Sequence, residues 1–190
     1  MATLEKIEFE KIEACRFIGK SVYARSGPQN SGYIFGGMWS NCDFIYKQLD
    51  ELSEYATSEE QHMALLTFNK YDEVKKLLGY TVGRFMKADT PVPEGLDYFD
   101  YPEMFIAKVS IKGKFDDTIS NACRIADEAI KSQSEYVRLC DGCKKECDYC
   151  FFEVEVYFTH PDESDDDYVL GYYVPCKIDV VAISNRLKEV

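Results

Sequence analysis

Histidine, tryptophan and positive charge are all scarce in this chain. Its 190 residues include two histidines and one tryptophan, and 22 Lys+Arg stand against 34 Asp+Glu, for a formal charge of −12. A surface of that sign offers no basic stripe to displace counterions from a phosphate backbone, which argues against nucleic-acid binding. His62 and His160 leave little for histidine catalysis, and both read as surface residues. No G-x-S-x-G, Walker or H-E-x-x-H pattern occurs, and the glycines of 32–37 are too irregular for a phosphate cradle. No apolar run approaches the roughly 18 residues of a membrane span. Met1-Ala2-Thr3-Leu4-Glu5-Lys6 lacks an apolar stretch of secretory type. The expectation is a cytoplasmic protein that engages neither nucleic acid nor membrane.

What the chain does have is core-forming material, 46% hydrophobic and 14% aromatic, and an internal repeat. Leu78-Gly79-Tyr80-Thr81-Val82 returns as Leu170-Gly171-Tyr172-Tyr173-Val174, and Phe17-Ile18-Gly19-Lys20 as Phe105-Ile106-Ala107-Lys108. The reading is one α+β domain built from a duplicated strand-helix-strand-strand unit with pseudo-twofold symmetry, antiparallel sheets and one main helix per half. Half 1 spans about 5–86, a connector 87–95, half 2 about 96–180 and a tail 181–190. A groove on the axis between such halves is a natural place for a ligand.

Local patterns fill in the order. Residues 8–25 read as one long strand broken near Gly19, and 26–37 as a Gly/Ser/Pro loop carrying Tyr33, Ile34 and Phe35. Met38, Cys42, Ile45, Leu49 and Leu52 recur at helical spacing. Strands are expected at 63–69 and 77–85, followed by a connector that Pro91 and Pro93 keep out of regular structure. In the second half, a strand over 98–112 is interrupted at Pro102. A helix capped by Asp116 or Asp117 presents Ile119, Ala122, Cys123, Ala126 and Ile130, and strands follow at 151–158 and 168–178. The acidic run 162–167 reads as a solvated hairpin tip rather than a calcium loop, since the EF-hand spacing is missing.

Within 151–158, period two puts Phe152, Val154, Val156 and Phe158 on one face and Glu153, Glu155 and Tyr157 on the other. If the apolar row packs on helices, the acidic row faces solvent or a cleft. In an aromatic cleft, a glutamate without a paired cation would have its pKa raised by desolvation, which suits cation recognition or acid–base work.

Cys140, Cys143, Cys147 and Cys150 form C-x2-C-x3-C-x2-C, half of the eight cysteines. In a folded-back loop, which Asp141-Gly142 favours, four thiolates satisfy a structural zinc ion. On one continuous helix the outer pair would be roughly 15 Å apart, too far to share an ion. Free or redox-active thiols, disulfides and an iron–sulfur cluster stay open as alternatives. Cys15, Cys42, Cys123 and Cys176 fall on element faces and read as core.

Val92-Pro93-Glu94-Gly95-Leu96, Tyr101-Pro102 leading into 104–112, Glu155-Val156-Tyr157 and Tyr172-Tyr173-Val174-Pro175-Cys176-Lys177 resemble the corresponding stretches of GyrI-like domains. These are the effector-binding modules of multidrug-sensing regulators, with a SOUL-like duplicated fold. The resemblance covers roughly 9–178 and implies a stand-alone member. It implies a glutamate on the floor of an aromatic cleft, here Glu155, meeting cationic, planar ligands. It implies walls drawn from Trp39, Tyr101, Tyr157 and Tyr172, with Glu153 beside them; Trp39 could equally be core. The expected function is binding of hydrophobic, cationic or planar small molecules. The alternatives are a hydrolase opening cyclopropane-bearing electrophiles, with Glu155 catalytic, and an acidic inhibitor of a topoisomerase.

Overall fold

The computed structural model describes residues 1–25, 31–57, 62–67, 77–133, 135–139, 152–159, 167–180 and 184. The strands are β1 (Thr3–Ile12), β2 (Cys15–Arg25), β3 (His62–Thr67), β4 (Leu77–Lys87), β5 (Asp97–Tyr101), β6 (Met104–Gly113), β7 (Tyr136–Arg138), β8 (Phe152–Tyr157) and β9 (Tyr168–Ile178). The helices are α1 (Ser31–Trp39), α2 (Asp43–Asp50) and α3 (Phe115–Lys131). All strand pairs are antiparallel, giving the expected α+β class. The sheet runs β1-β6-β9-β8-β3-β4-β2-β5, with β7 added on β9. Exchanging β1 with β5, β2 with β6, β3 with β8 and β4 with β9 turns the order of the eight-strand path into its own reverse, the topological mark of a pseudo-twofold axis passing between β3 and β8. The helices follow the same rule: α1 and α2 lie on β2 and β4, while α3 lies on β6 and β9.

Both sheet faces are buried. The face under the helices carries Ile18, Val82 and Val109, which pack in one core with Ile45 and Leu49 of α2 and Ile130 of α3. The opposite face carries Phe17, Met63, Phe85, Tyr101, Ile106 and Phe152, with no helical residue among them. That second face is buried because the sheet curls on itself. β5 and β8 are four strands apart, roughly 19 Å in a flat sheet, yet the rings of Tyr101 and Phe152 lie with centroids 4.3 Å apart.

Several local expectations need correcting. The strand expected over 8–25 is two strands, separated at Glu13-Ala14 rather than at Gly19. Gly19 sits inside β2 directly opposite Gly83, and a Cβ on either would come within 2.1 Å of a backbone oxygen of the other strand. Glycine there permits close approach instead of ending the strand. The loop expected over 26–37 holds α1, and the helix expected from Met38 onward is split, with α2 starting at Asp43. The cap of α3 is Lys114, not an aspartate; Asp116 and Asp117 occupy the first turn, where negative charge complements the helix dipole. Cys15, Cys42 and Cys176 are buried, but Cys123 is exposed.

The Phe-Ile-x-Lys repeat is also out of phase. Phe17 belongs to the strand-only face and Ile18 to the helix face, whereas Phe105 packs on the helix face and Ile106 on the strand-only face. A one-residue offset flips every side chain of a strand, so these four-residue matches are not structural counterparts. The Leu-Gly-Tyr match is in phase: Tyr80 and Tyr172 both lie on the helix face. Cys140, Cys143, Cys147, Cys150, His160 and the run 161–166 lie outside the described residues.

Candidate functional site: a buried acidic pair under an aromatic helix

β8 alternates as its sequence requires, but the two rows lie opposite to the simplest expectation. Phe152, Val154 and Val156 point to the strand-only face, and Glu153, Glu155 and Tyr157 lie under the helices. None of the three is solvated: Glu153 is 3% exposed, Glu155 8% and Tyr157 4%. Two carboxylates are therefore buried in adjacent same-face positions, and each must be satisfied locally.

Glu155 is satisfied by hydroxyls. Tyr157 donates to its Oε2 at 2.7 Å and Tyr80 to the same oxygen at 3.0 Å. The Tyr80 hydroxyl in turn accepts the indole N–H of Trp39 at 2.9 Å. Trp39 and Phe35, four residues apart on α1, share one face of that helix and form the roof. The Phe35 ring stacks on Tyr80 with centroids 4.3 Å apart, and the Trp39 ring lies 4.6 Å from that of Tyr157. Burial pushes the Glu155 pKa above its ordinary value. The two tyrosine hydroxyls oppose that rise and the charge of Glu153 adds to it. Burial also pushes Tyr80 and Tyr157 well above their ordinary values, helped by the neighbouring carboxylate. These hydroxyls stay protonated and act as donors.

Glu153 is satisfied by a cation. Arg138 on β7 donates to Glu153 and to Asp127 of α3, and Tyr172 donates its hydroxyl to Glu153. The Cys123 thiol lies 3.7 Å from the same carboxylate. Burial lowers the Arg138 pKa, but the two carboxylates more than offset this and hold the guanidinium charged. Cys123 is exposed as a residue, but its thiol faces the part-buried Glu153 contact, where desolvation, then the Glu153 charge, raises it and makes it a poor nucleophile at neutral pH. Tyr172, directly opposite Glu155 in the β8–β9 ladder, thus serves the other glutamate.

The structure brings together Glu155, Tyr157 and Trp39, with Glu153 and Tyr172 in the adjoining cluster. It places Tyr101 elsewhere, on the strand-only face among Phe85 and Phe152. Sequence reasoning passed over three contributors. Tyr80 carried a usable signal, because it is the repeat counterpart of Tyr172. Phe35 was hidden in a stretch read as loop, and Arg138 in a three-residue strand with no pattern to find. Among the described residues no group of three or more His, Cys, Asp or Glu could hold a metal ion, and no helix is long and apolar enough to cross a membrane.

No family model and no curated protein matches the chain. Solved structures do match over nearly its whole length. SAV2435 bound to tetraphenylphosphonium aligns with a TM-score of 0.60 at 11% identity, over 91% of this chain and 94% of that one. The C-terminal domain of EcmrR aligns with a TM-score of 0.56 at 14% identity, over 90% and 97%. A hydrolase encoded by lin2189 from Listeria innocua aligns with a TM-score of 0.50 at 8% identity, over 90% and 92%. At such identities the likeness is one of fold, and it agrees with the GyrI-like architecture that the sequence motifs imply.

Proposed function

We propose that the protein binds hydrophobic cations, with Glu155 as the counter-charge and the aromatic residues of α1, β4 and β8 as the enclosing surface. One observation carries the reading. Two carboxylates lie on the same face of one strand, and Glu153 has the guanidinium of Arg138, whereas among the described residues no cation pairs with Glu155. A buried carboxylate held only by hydroxyls is incompletely compensated, and a cationic guest supplies what is missing. Electron-rich rings of Tyr80, Tyr157 and Trp39 would add cation–π attraction of about 0.5–2 kcal/mol each. The SAV2435 structure, which holds the cation tetraphenylphosphonium, is consistent with a site of this kind in the shared fold. Phe35 and Trp39 fill the space above Glu155 here, so a guest enters by displacing part of α1.

Trp39 is the only tryptophan and is bonded into the site, so its fluorescence reports occupancy directly. Titration with tetraphenylphosphonium should change that emission saturably. Glu155→Gln should weaken binding by about 2 kcal/mol or more, roughly 30-fold. An unchanged affinity in that variant would remove Glu155 from the role.

A second reading, hydrolysis of an electrophile, is favoured by the raised Glu155 pKa, because a carboxyl that exchanges protons nearer neutrality suits general acid–base work. Loss of a cyclopropane-bearing test compound, dependent on Glu155, would select it; saturable binding without consumption would select the cation receptor.

A further inference from the structure

We propose a second small-molecule site on the opposite face of the sheet, one that takes an anionic amphiphile such as a medium-chain carboxylate. A cavity of about 370 Å³ opens there beneath the β1–β2 turn, at the small end of the roughly 300–1,000 Å³ usual for ligand pockets. It shares no lining residue with the Glu155 cluster, since its walls come from the strand-only face. Met63, Phe85, Ile106 and Tyr173 form an apolar interior, each 6% exposed or less.

One lysine of the rim gives the cavity its charge preference. Lys11, Lys87 and Lys108 line it beside Glu10 and Glu13, and Glu103 pairs with Lys11, so the rim is balanced in charge on a molecule whose total is −12. The Lys108 ammonium bridges to Glu10 at 2.8 Å and sits 5.2 Å from the Tyr173 ring centroid. The Lys11 ammonium pairs with Glu103 at 2.8 Å. Lys87 differs, because its ammonium donates to the backbone carbonyl of Glu54 at 2.9 Å, a neutral acceptor that leaves its charge uncancelled. An apolar tail would occupy the interior while a carboxylate at the mouth meets Lys87, with the lysine stems extending the apolar wall. Cys15 also lines the hollow; burial lifts its thiol to about 12, which keeps it protonated at neutral pH.

Isothermal titration of the full chain with decanoate, and separately with decyltrimethylammonium, tests this. Decanoate should bind saturably at one site per chain and leave tetraphenylphosphonium quenching of Trp39 unchanged. Lys87→Glu should weaken decanoate at least tenfold. Ala14→Phe, at an exposed turn position beside the opening, should block it, and both variants should melt like the parent. The inference is overturned if decanoate gives no saturable heat. It is equally overturned if the cationic amphiphile binds the cavity as tightly as decanoate, or if folded Lys87→Glu binds decanoate like the parent chain. Competition between decanoate and tetraphenylphosphonium would place the decanoate at Glu155 instead, and would also overturn it.

Discussion

Tyr80 and Tyr172 hold corresponding places in the two halves of the chain, and each donates its hydroxyl to a glutamate of the same strand, Tyr80 to Glu155 and Tyr172 to Glu153. The axis between β3 and β8 relates the tyrosines, but both acids come from β8. Their counterparts across the β3–β8 ladder are Ala64 and Leu66. Two similar tyrosine donors therefore meet one asymmetric strand, and among the described residues only one of the two acids receives an internal cation.

Glu155→Gln should stabilise the ligand-free protein at neutral pH. The folded-state pKa of Glu155 is raised by burial, so its contribution to stability is fully present below the ordinary carboxylate value and lost as pH rises through the folded value. Each unit of difference is worth about 1.4 kcal/mol, and each kcal/mol about 2–4 °C in Tm at this size. Thermal melts should show the variant ahead at pH 7 and the gap closing toward the ordinary carboxylate range. A variant less stable than the parent at every pH would contradict this account of the site.

Cation binding should weaken on acidification sooner than for an exposed carboxylate. Protonation of Glu155 removes the counter-charge, and the raised pKa moves that loss upward in pH. Tetraphenylphosphonium titrations from pH 8 downward would measure the midpoint, which should disappear in Glu155→Gln.

Tyr80→Phe removes a donor to Glu155 and the acceptor of the Trp39 indole N–H. A buried donor left unmatched costs about 1–3 kcal/mol. Because the Tyr80 hydroxyl opposes the rise in the Glu155 pKa, its loss should also move the binding midpoint further upward. Denaturant melts and the pH titration check the two effects separately.

Arg138→Ala should destabilise by about 3 kcal/mol, the low end for breaking a buried ion pair, because a fifth of the Arg138 side chain is exposed. Arg138→Ala combined with Glu153→Gln should recover much of that loss, since the more deeply buried of the two stranded carboxylates is then neutral, while Asp127 is 31% exposed. Equal instability of single and double variants would show that packing, not charge, governs this corner.

For Cys140, Cys143, Cys147 and Cys150 the zinc proposal rests on spacing alone. Elemental analysis should find one zinc per chain, lost in Cys143→Ser. Metal-free protein with four titratable thiols would refute it.

The sequence made legible what depends on period two and on tight local patterns. The strands β8 and β9 and the division of β8 into an apolar and an acidic row were readable, and the in-phase Leu-Gly-Tyr repeat held an unused pointer from Tyr172 to Tyr80. Helix α1 was not legible: Tyr33-Ile34-Phe35 has no helical spacing, and Gly36-Gly37 reads as a turn, so the helix draws its stability from Phe35 and Trp39 packing on the sheet. Tyr101 was misplaced because nothing local says that β5 curls over to meet Phe152. Arg138 was invisible because its value lies in partners on α3 and β8, distant in sequence.

β1 pairs with β6, and β5 pairs with β2: the leading strand of each repeat completes the sheet of the other. A single repeat on its own would therefore present one unmatched ladder edge and possess one spare strand. That is the pairing geometry of a domain-swapped dimer, here within one chain. Two joined copies are free to diverge, and here β8 of the second repeat carries both Glu153 and Glu155 where β3 of the first carries Ala64 and Leu66.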